Sequence, residues 1–522
     1  MMTDSLSYTH PTMHSTPSPR RRSLIIAASL LALFLGALDA LVMAAAMPTV
    51  VAELGGLDLY SWVYSAYLLT RTVSLPIFGK LADMYRTKTL YVVSILVFIA
   101  ASLAAGFATS MSFLIICRAF QGIGAGGTFA LVYIVLTDIS PPGERGKTLS
   151  LGSFVWGLAS VLGPTTGGFI VAYFSWRWIF FINVPLGFLS LVGVTLYLVE
   201  TRVKKEKTSI DFAGAFTLTA AILCLLLVFL LAGQTYAWAS PQIAALGAVA
   251  VAFGAAFCAS ERRARDPILS ISFFKSRGFS IGNATVFMSS FAIFGLFAFA
   301  PLYLQGALGK NPVEVGTAVL SISLGWSIGS LVLGRFVHRW GSRNSALAGS
   351  VFLIAGCALT LTFSTATPLS TCFLVFGIVG VGMGFVALAT ILVVQNSVDP
   401  SNLGVATASH QFSRNLGGTV GVGVCGSLFT AAFSAALESA LAGGLREVLP
   451  AAVAEHIQRN AQDLFQPEIQ AQLNGAILHQ FQEAVAQGVL LVFWAVLAAA
   501  LACLVGCKLL PRESVPPTVE AP

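Results

Sequence analysis

Gly79-Lys80-Leu81-Ala82-Asp83-Met84-Tyr85-Arg86-Thr87-Lys88 is the stretch on which the reading of this chain turns. It is a short charged interruption between two apolar runs, near 58–79 and 89–108. Each run has about the 20 residues that a helix needs to cross a bilayer. A second stretch of the same build, Gly334-Arg335-Phe336-Val337-His338-Arg339-Trp340-Gly341-Ser342-Arg343, follows another apolar run near 313–335. Both give a glycine and a cation, a short turn, then more cations. Such a repeat implies two related halves of six helices with a helix pair inserted between them. Internal repeats of this kind mark transporters, with the substrate site near the midplane between the halves. The competing reading is chance, because connectors on one side of a membrane all tend to carry cations.

The rest of the chain fits the membrane reading. Charged residues are 10% of the 522 and hydrophobic residues 56%, with a mean hydropathy of +0.84. A soluble fold of this length needs far more charge, roughly 25%, to cover its surface. Long apolar stretches with sharp polar breaks point to helices rather than to a barrel, whose strands alternate over about ten residues. About fourteen spans are predicted, near 23–46, 58–79, 89–108, 112–135, 149–171, 178–199, 212–232, 240–260, 279–301, 313–335, 345–364, 371–393, 405–434 and 486–508. Of the 29 basic residues, 22 fall before the first span or in alternate connectors after spans two, four, six, eight, ten and fourteen. Only Arg177, Lys310, Arg446 and Arg459 lie on the other side, and Arg71, Arg118 and Arg414 fall within spans. The positive-inside rule then puts both termini in the cytoplasm of a multi-pass cell-membrane protein. The net charge of +7 is thus topological, and a nucleic-acid partner is not expected.

The expected organisation is a disordered cytoplasmic N-terminus over 1–22, a six-helix bundle over 23–199, an inserted helix pair with its flanking loops over 200–275, a second six-helix bundle over 276–508, and a cytoplasmic tail over 509–522. The stretch Val42-Met43-Ala44-Ala45-Ala46 imitates a signal-peptidase site, but Asp39 interrupts the apolar run and cleavage would break the parity of the spans. The eight cysteines lie in or beside spans with no CxxC pair. They read as small apolar fillers, and no metal site or cofactor is expected. Residues 435–485 form the one long external loop. Leu445, Val448, Leu449, Val453 and Ile457 recur there at helical spacing, and a second pattern begins after Pro467. A helical hairpin at the outer surface, a lid, or a plain connector are the open readings.

With these motifs in hand, the sequence resembles the major facilitator superfamily, and within it the fourteen-helix drug:proton antiporter group. Gly79-Lys80-Leu81-Ala82-Asp83 is similar to the superfamily's loop signature, and Arg118-Ala119-Phe120-Gln121-Gly122-Ile123-Gly124 to its helix-four signature. Gly163-Pro164-Thr165-Thr166-Gly167-Gly168 is similar to the antiporter signature of helix five. Trp176 to Gly187 and Pro301-Leu302-Tyr303-Leu304-Gln305 resemble segments typical of the group. Arg86 and Ala159 stand where these signatures usually have glycine, and Arg71 is unusual. The resemblance implies an all-α polytopic fold and multidrug efflux, hence antibiotic resistance, by proton antiport. It further implies proton coupling at the acid of helix one, and a loop of Gly79, Asp83 and Arg86 that helps hold one conformational state.

The residues carry their own physics. Asp39 is the one carboxylate deep within a predicted span, where a charge costs roughly 2.5–3.5 kcal/mol. Burial disfavours the charged form of a carboxyl and a neighbouring cation favours it. A carboxyl whose surroundings alternate between the two can take up and release a proton. The alternative is a structural acid permanently paired with an arginine. Arg118 is the expected partner, because Gln121, Gly122 and Ala125 follow it on one polar-then-small helix face. A fixed clasp from Arg118 to carbonyls is the other option. Gly122, Gly124 and Gly127 satisfy GxGxxG, but mid-span and without a preceding strand they read as helix packing, not nucleotide binding. Ala159, Gly163 and Gly167 form a small-residue face that Pro164 bends, suited to an interface that rocks. Asp83 with Lys80, Arg86 and Lys88 is expected to form a charge cluster.

Candidate cavity residues are Arg71, Gln121, Trp62, Tyr67, Trp156, Tyr303 and Trp326, with Phe294 beside them and His410, Gln411, Arg414 and Asn415 as a second tier. Each aromatic is more often packing than a ligand contact. If Arg71 faces the cavity, Asp39 meets two buried cations, which favours anionic or zwitterionic cargo over lipophilic cations; snorkelling or structural pairing are its alternatives. The expected activity is proton-driven export of hydrophobic or amphipathic small molecules by a monomer, with a periplasmic adaptor where the host has an outer membrane. The proton is the only coupling ion expected. The competing readings are export of one metabolite, lipid or siderophore, and a membrane-embedded lipid-linked transferase. A transferase needs paired carboxylates or a His cluster in a polar loop, and Glu447, Glu455, His456 and Asp463 show no such spacing. No GxxxxGK[ST] is present, so an ATP-driven or otherwise enzymatic chain is not expected.

Overall fold

The computed structural model describes residues 18–55, 59–200, 211–232, 236–264, 271–440 and 475–512. The expectations for the first 17 residues, for most of the 435–485 loop and for the end of the tail lie outside them. The described residues are helical throughout, with one isolated bridge, Ala232 to Tyr236, as the sole β pairing among them. In chain order they are α1 (Pro19–Leu54), α2 (Tyr60–Met84), α3 (Thr87–Gly106), α4 (Met111–Asp138), α5 (Arg145–Tyr173), α6 (Trp178–Phe181), α7 (Asn183–Tyr197), α8 (Phe212–Leu231), α9 (Pro241–Arg263), α10 (Arg277–Leu302), α11 (Pro312–Trp340), α12 (Ser342–Thr360), α13 (Leu369–Asn396), α14 (Leu403–Ala440) and α15 (Gly475–Leu509).

Among the described residues, 12 helices are long and apolar enough to cross a membrane. α2 and α12 make up the difference from the fourteen spans predicted. α2 carries Arg71, Lys80 and Asp83, and α12 opens on Ser342-Arg343-Asn344-Ser345, so their polar residues dilute the apolar run. Both are packed inside the bundle, α2 on α4 and α14, α12 on α13 and α15.

Local chemistry sets the helix ends. Asn311 caps α11 with its side chain accepting from Val313 and Glu314, while Glu314 reaches back to the Asn311 amide. Ser110, Asp211 and Ser240 cap α4, α8 and α9. The predicted sixth span is broken at Ile182 into α6 and α7. Pro185, which cannot donate to the Phe181 carbonyl one turn back, accounts for the break. A single π turn, Tyr303–Ala307, follows Pro301 at the end of α10.

Packing is dominated by small residues. α1, α3, α4, α5 and α7 pack on one another, as do α10 to α15, and α8 pairs with α9 against α2 and α14. The two groups meet along α2–α14 and α5–α11. At Gly122 a Cβ would lie 2.5 Å from the Tyr67 carbonyl oxygen, and at Gly124 2.6 Å from the Phe98 amide nitrogen. The glycines of the GxGxxG match are therefore where α2 and α3 press onto α4. Seven of the eight cysteines are buried or half-buried, and all eight are free thiols.

Candidate functional site

Asp39 lies on α1, 1% exposed, where α1 meets α4 and α7. Three side chains converge on its carboxylate. Arg118 Nη1 donates to Oδ2 at 2.7 Å, Gln121 Nε2 to Oδ1 at 2.8 Å, and Asn183 Nδ2 to Oδ1 at 2.8 Å. The helix spacing explains the first two: Arg118 and Gln121 are three apart and share a face of α4. Arg118 also donates to Gln121 Oε1 at 2.8 Å, which fixes the amide so that its nitrogen faces Asp39. The Arg118 guanidinium lies 4.2 Å from the centre of the Tyr67 ring, and the Tyr67 hydroxyl donates to the Gly36 carbonyl at 3.2 Å. Behind the carboxylate, Asn183 donates to Ser102 Oγ at 3.0 Å and Ser102 to the Phe180 carbonyl at 2.9 Å. The Asn183 Oδ1 is buried without a donor.

A second group of side chains fills the seam between the two helix groups. The Phe129 ring on α4 has Arg71 of α2 at 4.6 Å on one approach and Arg414 of α14 at 5.2 Å on another. Arg71 also lies 5.4 Å from the Trp156 ring, and Arg414 5.8 Å from the Trp326 ring. Phe294 packs edge-on to Trp326 and Trp156 edge-on to Phe129. Tyr67 and Tyr133 are the hydroxyl neighbours of Arg71 and Arg414 respectively. Arg71 lines a small crevice of about 10 Å³ with Gly36, Ala125, Thr128 and Phe129. On α14 one turn from Arg414, His410 bonds Thr390 at 2.9 Å.

At the basic end of the molecule the two groups are clasped. The Asp83 carboxylate accepts from the Gly404 and Val405 amides, at 2.8 and 2.9 Å, at the start of α14. Four backbone amides of a helix start have no partner within the helix, so a carboxylate fits there. Gly79 permits the approach: a Cβ there would lie 2.8 Å from the Gly404 carbonyl oxygen. Its counterpart in the second repeat behaves alike, since a Cβ at Gly334 would lie 2.9 Å from the Gly146 carbonyl oxygen of α5. Gln395 of α13 adds bonds to Thr137 of α4 at 2.9 Å and Thr407 of α14 at 3.0 Å.

Outside the spans, Arg22 pairs with Glu144 at 2.5 Å, and this guanidinium holds the Glu144 carboxyl below its ordinary value. At the opposite end Arg177 pairs with Glu53 at 2.5 Å, and Trp176 Nε1 donates to the same carboxylate at 2.6 Å. Hydrogen bonds from Arg177 and then Trp176 lower the Glu53 value.

The structure thus brings Asp39, Arg118, Gln121 and Tyr67 into one network, and Arg71, Trp156 and Trp326 into the seam. Trp62 stands near the start of α2, 37% exposed and without a ring contact to the seam. Tyr303 stacks on Phe363 and donates to the Ser364 carbonyl at 2.8 Å, which makes it a packing residue of the second group. Gly163 of α5 packs on Leu41 of α1 and Gly167 is buried, whereas Gly168 faces open space. Pro164 lies inside α5 without ending it. Arg86 is exposed at the start of α3. Sequence reasoning did not single out Asn183, Ser102, Phe129 or Tyr133. Among the described residues no group of three His, Cys, Asp or Glu could hold a metal ion.

Comparison with known proteins gives consistent matches. Residues 29–422 match the Major Facilitator Superfamily. The chain is 36% identical over 413 residues to the multidrug transporter protein MdtP of Bacillus subtilis, covering 79% of this chain and 76% of that one. It is 34% identical over 471 residues to multidrug resistance protein 3 of the same organism, covering 90% and 91%. Among solved structures, the human organic anion transporter MFSD10 superposes with a TM-score of 0.57 at 14% identity, covering 92% of this chain and 100% of that one, a likeness of fold alone.

Proposed function

The chain belongs to the major facilitator superfamily, and from that premise we propose that it is a proton-coupled exporter of hydrophobic or amphipathic small molecules, a drug:proton antiporter. The observation that carries the reading is the buried Asp39 held by Arg118, Gln121 and Asn183. The multidrug names of the B. subtilis relatives support the cargo class.

The chemistry runs as follows. Ionised Asp39 balances Arg118, so the pair crosses the apolar interior as a neutral unit. Protonation removes the acceptor charge and leaves Arg118 without its counter-ion. The protonated carboxyl now needs an acceptor, and rotation of the Asn183 amide offers its unpartnered Oδ1. Arg118, always charged, then shifts towards other acceptors, such as the Val63 carbonyl it already approaches at 3.4 Å. Because α1, α4 and α7 all contribute to the network, this rearrangement loads the packing of the whole first group. The clasp of Asp83 on α14 is the element that must open for the opposite state.

With the basic loops in the cytoplasm, the cycle is protonation from outside, reorientation, proton loss inside and cargo capture. The test is transport in everted vesicles carrying the protein. Cargo drives proton movement in the wild type, and Asp39→Asn abolishes it. Undiminished proton-coupled export by that variant overturns the assignment.

A further inference from the structure

We propose that the seam between the two helix groups is a binding site for the anionic head of an amphipathic aromatic cargo, held between Arg71 and Arg414. The inference rests on the transport reading for how such a molecule reaches the site.

The argument begins with charge. The buried ionisable side chains of fixed charge among the described residues are Asp39, Arg71, Asp83, Arg118, Glu261 and Arg414. Asp83 ends α2 and Glu261 lies in the last turn of α9. The interior therefore holds three arginines and one carboxylate, and that carboxylate is taken by Arg118. Arg71 and Arg414 form no ion pair with any described residue. Each sits against two aromatic rings instead. Two such contacts return about 1–4 kcal/mol against roughly 2.5–3.5 kcal/mol for a charge at membrane depth, but they supply no counter-charge.

The unmet hydrogen bonds near Arg71 point the same way. Arg71 Nε and the Nε1 of Trp156, whose ring it faces, are buried without partners, and both can only donate; the Thr128 hydroxyl, which lines the crevice with Arg71, is also unpartnered. Both guanidiniums lie against the Phe129 ring, so they are no further apart than the sum of the two distances given above. That bound allows one carboxylate or sulfonate to meet both. Trp156, Phe129 and Trp326 provide ring faces for an aromatic body. Arg71 belongs to one helix group and Arg414 to the other, so an anion bound by both ties the halves together. The crevice beside Arg71 holds only about 10 Å³ in this state, so the halves part to admit the ligand.

The test uses three probes with one aromatic body: naphthalene-1-acetate, its methyl ester and naphthalen-1-ylmethylammonium. Equilibrium dialysis against the full chain in nanodiscs, with protein-free discs as blank, measures binding. The acetate is expected to bind at least about tenfold tighter than the ester or the ammonium, a difference of about 1.4 kcal/mol. Arg71→Gln and Arg414→Gln are each expected to remove that preference, while wild-type helical circular dichroism and elution volume report a folded protein. Arg71→Lys, which keeps the charge, is expected to retain part of it. Equal binding of all three probes, or acetate binding untouched in both glutamine variants, overturns the proposal. Proton-coupled export of the ester or the ammonium alone leaves the transport reading standing and the anion site refuted. Arginine-dependent binding of the acetate without proton-coupled export of any probe supports the anion site and counts against the transport reading.

Discussion

Replacing Asp83 with asparagine tests the clasp at the basic end. Asp83 accepts two backbone amides of α14, at 2.8 and 2.9 Å. Asparagine keeps one acceptor oxygen and loses the charge. A hydrogen bond to a charged group contributes about 1.5–3 kcal/mol and a neutral one about 1 kcal/mol. A negative charge at a helix start adds about 0.3–1 kcal/mol. Losing one charged bond and the terminus charge, and weakening the other bond to a neutral one, removes at least about 2 kcal/mol from the clasped state. That lowers its weight against any unclasped state by at least about 30-fold. Spin labels at Arg86→Cys and Ser401→Cys, both exposed positions, report the separation by pulsed electron resonance. Cys258, the exposed native thiol, is first replaced by serine. Asp83→Asn is expected to move a large fraction of molecules to a longer separation. An unchanged distance distribution refutes the assignment of the carboxylate as the latch.

The remaining expectations are narrower. Asn183→Ala removes one donor from the Asp39 carboxylate and should lower cargo-driven proton flux in everted vesicles by about tenfold, from the 1–3 kcal/mol of a buried unmet polar group; unaltered flux would detach Asn183 from coupling. Tyr303→Phe loses the bond to Ser364 but keeps the stacked ring, so melting should fall by only a few degrees while the cargo profile stays the same. Glu144, exposed, is held below its ordinary 4.5 by Arg22. A lowered folded value contributes stability above the unfolded value and loses it as pH falls through the folded one. The melting difference between wild type and Glu144→Gln should therefore be present near pH 6 and shrink as the pH falls below 4.5; a difference that grows on acidification would contradict the pairing.

The spans were legible because apolar runs of bilayer length have few other uses, and the scarcity of interior charge made Asp39, Arg118 and Arg71 conspicuous. Their partners were harder to read. Asn183 is a neutral amide placed by a helix break that Pro185 imposes, and nothing in the local pattern aims it at residue 39. Phe129 is one of 38 phenylalanines, and only the three-dimensional crossing of α2, α4 and α14 sets two guanidiniums on its ring. Asp83 was expected among neighbouring cations; its cross-group partners are main-chain amides, which carry no side-chain signature. Tyr303 and Trp62 share the composition of cavity aromatics, yet the packing of α10 and the exposure of the start of α2 place them elsewhere.

The latch at Asp83 has an inheritance asymmetry. One side of it is a carboxylate that a single codon change can alter, while the other is a pair of amide protons that every amino acid except proline supplies. Mutation on the α14 side can crowd the contact but, proline apart, cannot delete its donors. Drift or selection acting on how long the clasped state persists is therefore funnelled through residue 83 and the glycines that let it approach, and variants of the transporter with altered opening should accumulate substitutions on that side of the seam.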